Sequence, residues 1–165
     1  MWNDTIIIKE AKEEDAEGII KCMQSVMDEK IYLLAEKNPY TIDTEKFRIK
    51  NNKEDLILVA QIGGTIIGTL NLNKGRYKKT RHVGFLSIVV TKRYRNTGIG
   101  KSLLNYALRW CEINEIKKIC LEVFSTNIQA IKLYEDFGFK EESRRAKQYK
   151  IKDNYMDGVF MARWL

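Results

Sequence analysis

The alternation of apolar and polar residues divides the chain into short extended runs and a few amphipathic stretches. Thr5 to Lys9 is rich in β-branched residues and reads as a strand. An acidic turn, Glu13-Glu14-Asp15, follows. Behind it Ala16, Ile19, Ile20, Met23, Val26 and Met27 recur as on one helix face, with the acids at the end where the helix dipole favours them. Ile31 to Thr41 shows no period. It holds the only proline, Pro39, and two tyrosines, Tyr32 and Tyr40, and reads as a loop, a candidate functional segment. A second helix is expected from about Thr44 to Asn51, capped by Asp43.

Leu56 to Ile62 and Thr65 to Leu72 are apolar, β-rich runs joined by Gly63-Gly64, hairpin chemistry because both positions tolerate positive φ. After a basic loop, Val83 to Val90 is a further strand. The next helix places Ile99, Leu103, Ala107, Trp110 and Cys111 on one face, and Ile119 to Phe124 is again extended. Thr126-Asn127-Ile128-Gln129 fits a capping box, opening a helix with the stripe Ala130, Leu133, Tyr134 and Phe137 and with Gly138 at its end. Two final runs, Lys140 to Ile151 and Tyr155 to Trp164, are joined by the turn dipeptide Asp153-Asn154. The predicted order is β-α-α-β-β-β-α-β-α-β-β. Only Val83 to Val90, its helix and the following strand form a βαβ unit, so the class is α+β with a mixed, mostly antiparallel sheet.

Composition narrows this picture. A chain of 165 residues, 44% hydrophobic, suits one domain spanning residues 1–165. There is no run of eighteen apolar residues, and Asn3, Asp4, Lys9 and Glu10 around a short apolar patch are unlike a leader, so a cytoplasmic protein without a membrane partner is expected. Cys22, Cys111 and Cys120 lack metal-ligand spacing and lie in apolar patterns, which implies buried reduced thiols and no metal site. The net charge of +7 calls for an anionic partner. Thirteen of the 29 lysines and arginines crowd into three groups on different elements, Lys74 to Arg81, Lys92 to Lys101, and Arg144 to Lys150. That scatter gives nucleic acid little support.

The chemistry centres on Tyr94-Arg95-Asn96-Thr97-Gly98-Ile99-Gly100-Lys101-Ser102, a basic, glycine-containing turn between strand and helix. Glycines let backbone N–H groups approach a phosphate, and the helix start adds unpaired amides and a positive dipole end. Gly100-Lys101-Ser102 matches the end of a nucleoside-triphosphate loop, but Arg95 stands where that motif needs its first glycine. Gly98 and Gly100 begin a dinucleotide turn, yet Leu103 occupies its third glycine position. What fits is R-x-x-G-x-G, and a second motif lies downstream in order: Asn127-Ile128-Gln129-Ala130-Ile131-Lys132-Leu133-Tyr134-Glu135-Asp136-Phe137-Gly138-Phe139.

Together these two stretches resemble the GNAT superfamily of N-acetyltransferases, closely from Arg81 onward and by element order before it. The resemblance implies helices on both faces of the sheet and a V-shaped splay between its two central strands. It implies acetyl-CoA as acetyl donor, its pyrophosphate held by the backbone of Asn96, Thr97, Gly98, Ile99, Gly100, Lys101 and Ser102, with charge from Arg95. The amide-bearing pantetheine arm would dock on Ile88, Val89 and Val90 as an added strand does, with the thioester carbonyl polarised by the N–H of Val89 or Val90. Asn127 either bonds that arm or caps its own helix. Tyr134 is implied as the acid that protonates the departing thiolate. Glu122, twelve residues before it, has a spacing like that in bacterial ribosomal-protein N-terminal acetyltransferases and is the candidate base for the acceptor amine. His82, the only histidine, assists proton removal, contacts the acceptor or serves the strand end, and Tyr32, Tyr40 and the loop around them are candidates to wall the acceptor pocket. The function implied is acetyl transfer to a primary amine, of a small molecule or peptide, by direct attack in a ternary complex, in a monomer or homodimer. A CoA-binding sensor and a basic nucleic-acid-binding module are the alternatives.

Overall fold

A computed structural model describes residues 5–165; Asn3 and Asp4, read above as unlike a leader, lie outside the described residues. Seven strands and four α-helices follow the predicted order: β1 (Ile7–Glu10), α1 (Ala16–Met27), α2 (Ile42–Lys50), β2 (Leu56–Ile62), β3 (Thr65–Lys74), β4 (Val83–Val90), α3 (Ile99–Ile113), β5 (Lys118–Phe124), α4 (Ile128–Asp136), β6 (Lys140–Ile151) and β7 (Asn154–Trp164). Short 3₁₀ turns at Glu13–Asp15, Lys78–Thr80 and Lys92–Tyr94 escape the sequence pattern.

Period-two alternation in the strands sends side chains to two separate cores. Leu58, Leu70, Leu72, Ile119, Leu121 and Val159 pack on α3 and α4 through Leu103, Leu104, Ala107 and Tyr134. On the other face Ile57, Val59, Ile66 and Val89 meet Ala16, Ile19, Cys22 and Val26 of α1 and Ile49 of α2. Helices thus cover both faces. The sheet runs β1-β2-β3-β4-β5-β7-β6, and every neighbouring pair is antiparallel except β4 with β5.

That one parallel pair is incomplete. Val83, Gly84 and Phe85 stand opposite Lys118, Ile119 and Cys120, and the ladder stops there. The remaining five residues of β4, Leu86 to Val90, and the last four of β5 run apart, which is the predicted splay.

Three local expectations are corrected. The cap of α2 is Thr41, whose hydroxyl accepts from the Thr44 N–H; Asp43 already lies inside the first turn. The cap of α4 is Asn127, not Thr126, because its Oδ1 reaches the Ala130 N–H at 3.2 Å while Thr126 turns its hydroxyl to Met156. In the last hairpin the turn falls on Lys152-Asp153, with Lys152 at φ 54°, and Asn154 already begins β7. The hairpin at Gly63-Gly64 has φ of 53° and 81°, as expected.

Candidate functional site

The turn after β4 is built to leave amides free. Asn96 (φ 61°) and Gly98 (φ 89°) both take left-handed backbone, and together they swing the chain from strand to helix. Gly98 is the N-cap of α3, and it has no side chain to satisfy the first turn; α2 and α4, by contrast, are capped by Thr41 and Asn127. The first helical bond runs from Ser102 N–H to Gly98 O, at 3.0 Å. The N–H groups of Ile99, Gly100 and Lys101 precede it at the positive end of a fifteen-residue helix. Gly100 has a second reason to lack a side chain: a Cβ there would stand 3.0 Å from Leu133 Cδ2, so glycine brings α4 close against α3.

A cavity of about 490 Å3 extends from this turn along the splay. Of the predicted donor-binding residues, Ile88, Val89, Val90, Arg95, Asn96, Gly98, Gly100, Lys101 and Asn127 line it, as does Tyr134. Thr97, Ile99 and Ser102 do not. The Thr97 hydroxyl folds back on Tyr94 O at 2.6 Å, the Ile99 side chain is in the core, and the Ser102 N–H is spent inside the helix.

Hydrogen-bond alternation decides which groups of β4 face the cavity. Gly75 N–H to Val83 O and Thr91 N–H to Ile67 O, both 2.9 Å, fix the β3 ladder at its two ends. Odd-numbered residues between them therefore turn their N–H and C=O to β3. Even-numbered ones turn to β5; His82 O accordingly accepts from Lys117 and Lys118. Beyond Phe85 no β5 residue remains opposite. The Ile88 and Val90 amides consequently point into the splay, while that of Val89 does not, which narrows the expected pair of carbonyl-polarising donors to Val90.

Tyr134 is buried, 6% exposed, with its ring 5.7 Å from that of Phe139. Burial pushes its phenol well above the ordinary value of 10, so it stays protonated. Glu122 stands elsewhere. Its neighbours Leu121 and Val123 point into the α3/α4 core, which puts Glu122 on the opposite sheet face, exposed and lining neither this cavity nor the second one below. Tyr149 of β6 donates to Glu122 Oε1, and burial together with that bond pushes the Tyr149 phenol up to about 12. Tyr149 was not singled out in the sequence because partners 27 residues apart leave no periodic signal. His82 packs against Trp164, ring centroids 6.2 Å apart, at the strand end.

Arg95 departs from expectation. Its Nη1 donates to Glu29 Oε2 at 2.9 Å, its Nη2 to Glu29 Oε1, and its Nε to Val90 O at 2.9 Å, while its guanidinium lies 4.6 Å from the centre of the Tyr32 ring. This cation is engaged by the protein, and Lys101 and Lys132 supply the other positive charges on the cavity wall. Tyr32 and Leu33 of the 31–41 loop line the same cavity, whereas Tyr40 lines a second one of about 730 Å3 under α1 and α2, together with Arg48, Asn71 and Ser87.

The splay, the uncapped helix and the two motifs that frame them coincide with a described family. The family model named Acetyltransferase (GNAT) family matches residues 20–139. The chain belongs to that family. It is accordingly an acetyl-CoA-dependent N-acetyltransferase in class and in fold. It is similar to the L-amino acid N-acetyltransferase AaaT of Escherichia coli, 29% identical over 96% of this chain and 97% of that one. It is also 30% identical to the human N-alpha-acetyltransferase 30, over 77% of this chain but only 34% of that protein. Among solved structures, a GNAT-family acetyltransferase of Streptococcus pneumoniae superposes with a TM-score of 0.91 at 26% identity, covering 98% of this chain and 99% of that one. The yncA protein of Salmonella typhimurium, solved with acetyl-CoA, shares the fold at a TM-score of 0.88 and 16% identity, covering 98% of this chain and 94% of that one. All three cysteines are free thiols, Cys22 and Cys111 buried as expected and Cys120 only half-buried, and among the described residues no helix is long and apolar enough to cross a membrane.

Proposed function

We propose that the protein transfers the acetyl group of acetyl-CoA to a primary amine by direct attack within a ternary complex, in a single domain. One observation carries this reading: a single cavity joins the uncapped start of α3, the free edge of β4 and the Tyr134 phenol. The donor pyrophosphate rests on the amides of Asn96 to Lys101, and the pantetheine amides bond Ile88 and the free side of Asn127. The Val90 N–H polarises the thioester carbonyl. The amine nitrogen attacks that carbon, the C–N bond forms, and the C–S bond breaks. The leaving thiolate takes the Tyr134 proton.

An amine of pKa near 10 must lose a proton before it attacks. Glu122, oriented by Tyr149, takes it from the exposed face of β5, away from the α3/α4 core. The full-length likeness to an L-amino acid acetyltransferase favours an α-amine acceptor, free or at a peptide terminus. Nucleic acid is disfavoured by the state of the basic groups: Arg76 and Arg81 pair with Glu54, Arg76 also with Asp55, and Arg144 with Glu141 and Asp157.

Calorimetric titration with acetyl-CoA and a free-thiol release assay over L-amino acids, their amides and short peptides test the reading. Saturable binding with acceptor-dependent thiol release is expected. Binding without release from any amine would leave the sensor, and no binding would end both.

A further inference from the structure

The arginine of the phosphate turn is not aimed at phosphate. Arg95 joins three parts of the molecule at once: the last residue of β4 through Val90 O, the end of α1 through Glu29, and the loop after it through the Tyr32 ring. The pair is sheltered, with side chains 20% and 16% exposed, so solvent screens it less than a surface ion pair. The charge-assisted bonds of Glu29 hold the guanidinium protonated, above its usual range. Backbone conformation supports the same contact from both sides. Glu29 is followed by Lys30 at φ 58° and Arg95 by Asn96 at φ 61°, two of the five non-glycine residues with positive φ among those described. Such turns are costly without surrounding contacts to hold them, and the Arg95–Glu29 contact lies beside both.

We propose that Arg95 and Glu29 are positioning residues that couple the donor cradle to the acceptor-side loop, residues 31–41. The proposal rests on the acetyl-transfer reading above. Pyrophosphate on the amides beginning at Asn96 fixes the backbone at Arg95. Arg95 then holds Glu29 and Tyr32, and with them Tyr32 and Leu33 on the wall of the cavity that contains Tyr134. Coupling of this kind is reciprocal and typically about 5- to 150-fold in affinity, so an occupied acceptor site tightens donor binding by the same factor.

Hydrogen exchange read by mass spectrometry, with and without saturating CoA, tests this without knowledge of the acceptor. In the wild type, CoA is expected to slow exchange in both 96–102 and 29–41. In Glu29→Gln it should still slow 96–102, with the 29–41 response lost. Arg95→Lys, which keeps the charge but loses the planar fork, and Tyr32→Leu, which leaves the ion pair intact, repeat the test independently of Glu29. The proposal is overturned if 29–41 responds equally in the variants, or if in the wild type only 96–102 responds. Protection in neither segment of the wild type would overturn the donor reading itself.

Discussion

Tyr134 carries a proton at every pH at which an assay is run, because burial favours its neutral form. Replacing it by Phe is expected to lower kcat by about 10²- to 10⁴-fold, the usual yield of a positioned acid, with acetyl-CoA affinity preserved in calorimetry. No alkaline limb from Tyr134 should appear in the wild-type rate profile below pH 10. Glu122→Gln should instead lower the rate most at acidic pH and least near pH 10, where the acceptor is already neutral; a uniform loss across pH would remove the base role. In the proposed reading one side chain serves two ends at Asn127. Its Oδ1 caps α4 and its amide N–H group is left for the donor, so Asn127→Ala should cost roughly 1 kcal/mol in urea unfolding and weaken acetyl-CoA binding as well. Asn127→Asp, which keeps the cap and loses the donor, should separate the two effects.

The elements show why some of this was legible beforehand and some was not. Period and turn chemistry gave all seven strands and four helices, since each buries a face whose spacing is written in adjacent residues. Caps were misplaced at Asp43 and Thr126 because several oxygen-bearing residues cluster at each helix start, and only the path of the incoming chain selects among them. The fate of Arg95 was hidden for a different reason: Glu29 lies 66 residues away, and no local pattern records such a contact. Gly98 and Gly100 looked equivalent and are not. Gly98 is needed for its φ, so Gly98→Ala should cost roughly 1–2 kcal/mol and crowd the approach to the amides. Gly100→Val should act through Leu133, forcing α4 away from α3, and its loss of stability should shrink when combined with Leu133→Ala.

Across the whole molecule the thiols set an alkaline limit. Burial lifts Cys22 and Cys111 from 9 to about 12, and Tyr134 is raised too. Groups that hold their protons more tightly when folded stabilise the protein fully below the unfolded pKa, and that contribution is lost as pH climbs through the folded one. Urea midpoints should therefore fall between about pH 9 and pH 12, and Cys22→Ala should soften the slope. The exposed edge strand β6 is guarded against pairing with other chains by Lys140, Arg144, Arg145, Lys147 and Lys150 and by irregular registers at Glu141/Ser143 and Arg145/Tyr149. The parting of β4 from β5 has a wider effect. A sheet that stops bonding at its centre after three residue pairs is short of a strand, and in the proposed reading an amide-bearing donor fills that place chemically. Its ligand then acts as a removable part of the fold: at a hundred times its Kd it adds about 2.7 kcal/mol, and Tm tracks its concentration. Limited proteolysis should accordingly slow as acetyl-CoA is raised, and a cleavage rate and Tm that do not move with its concentration would set this linkage aside.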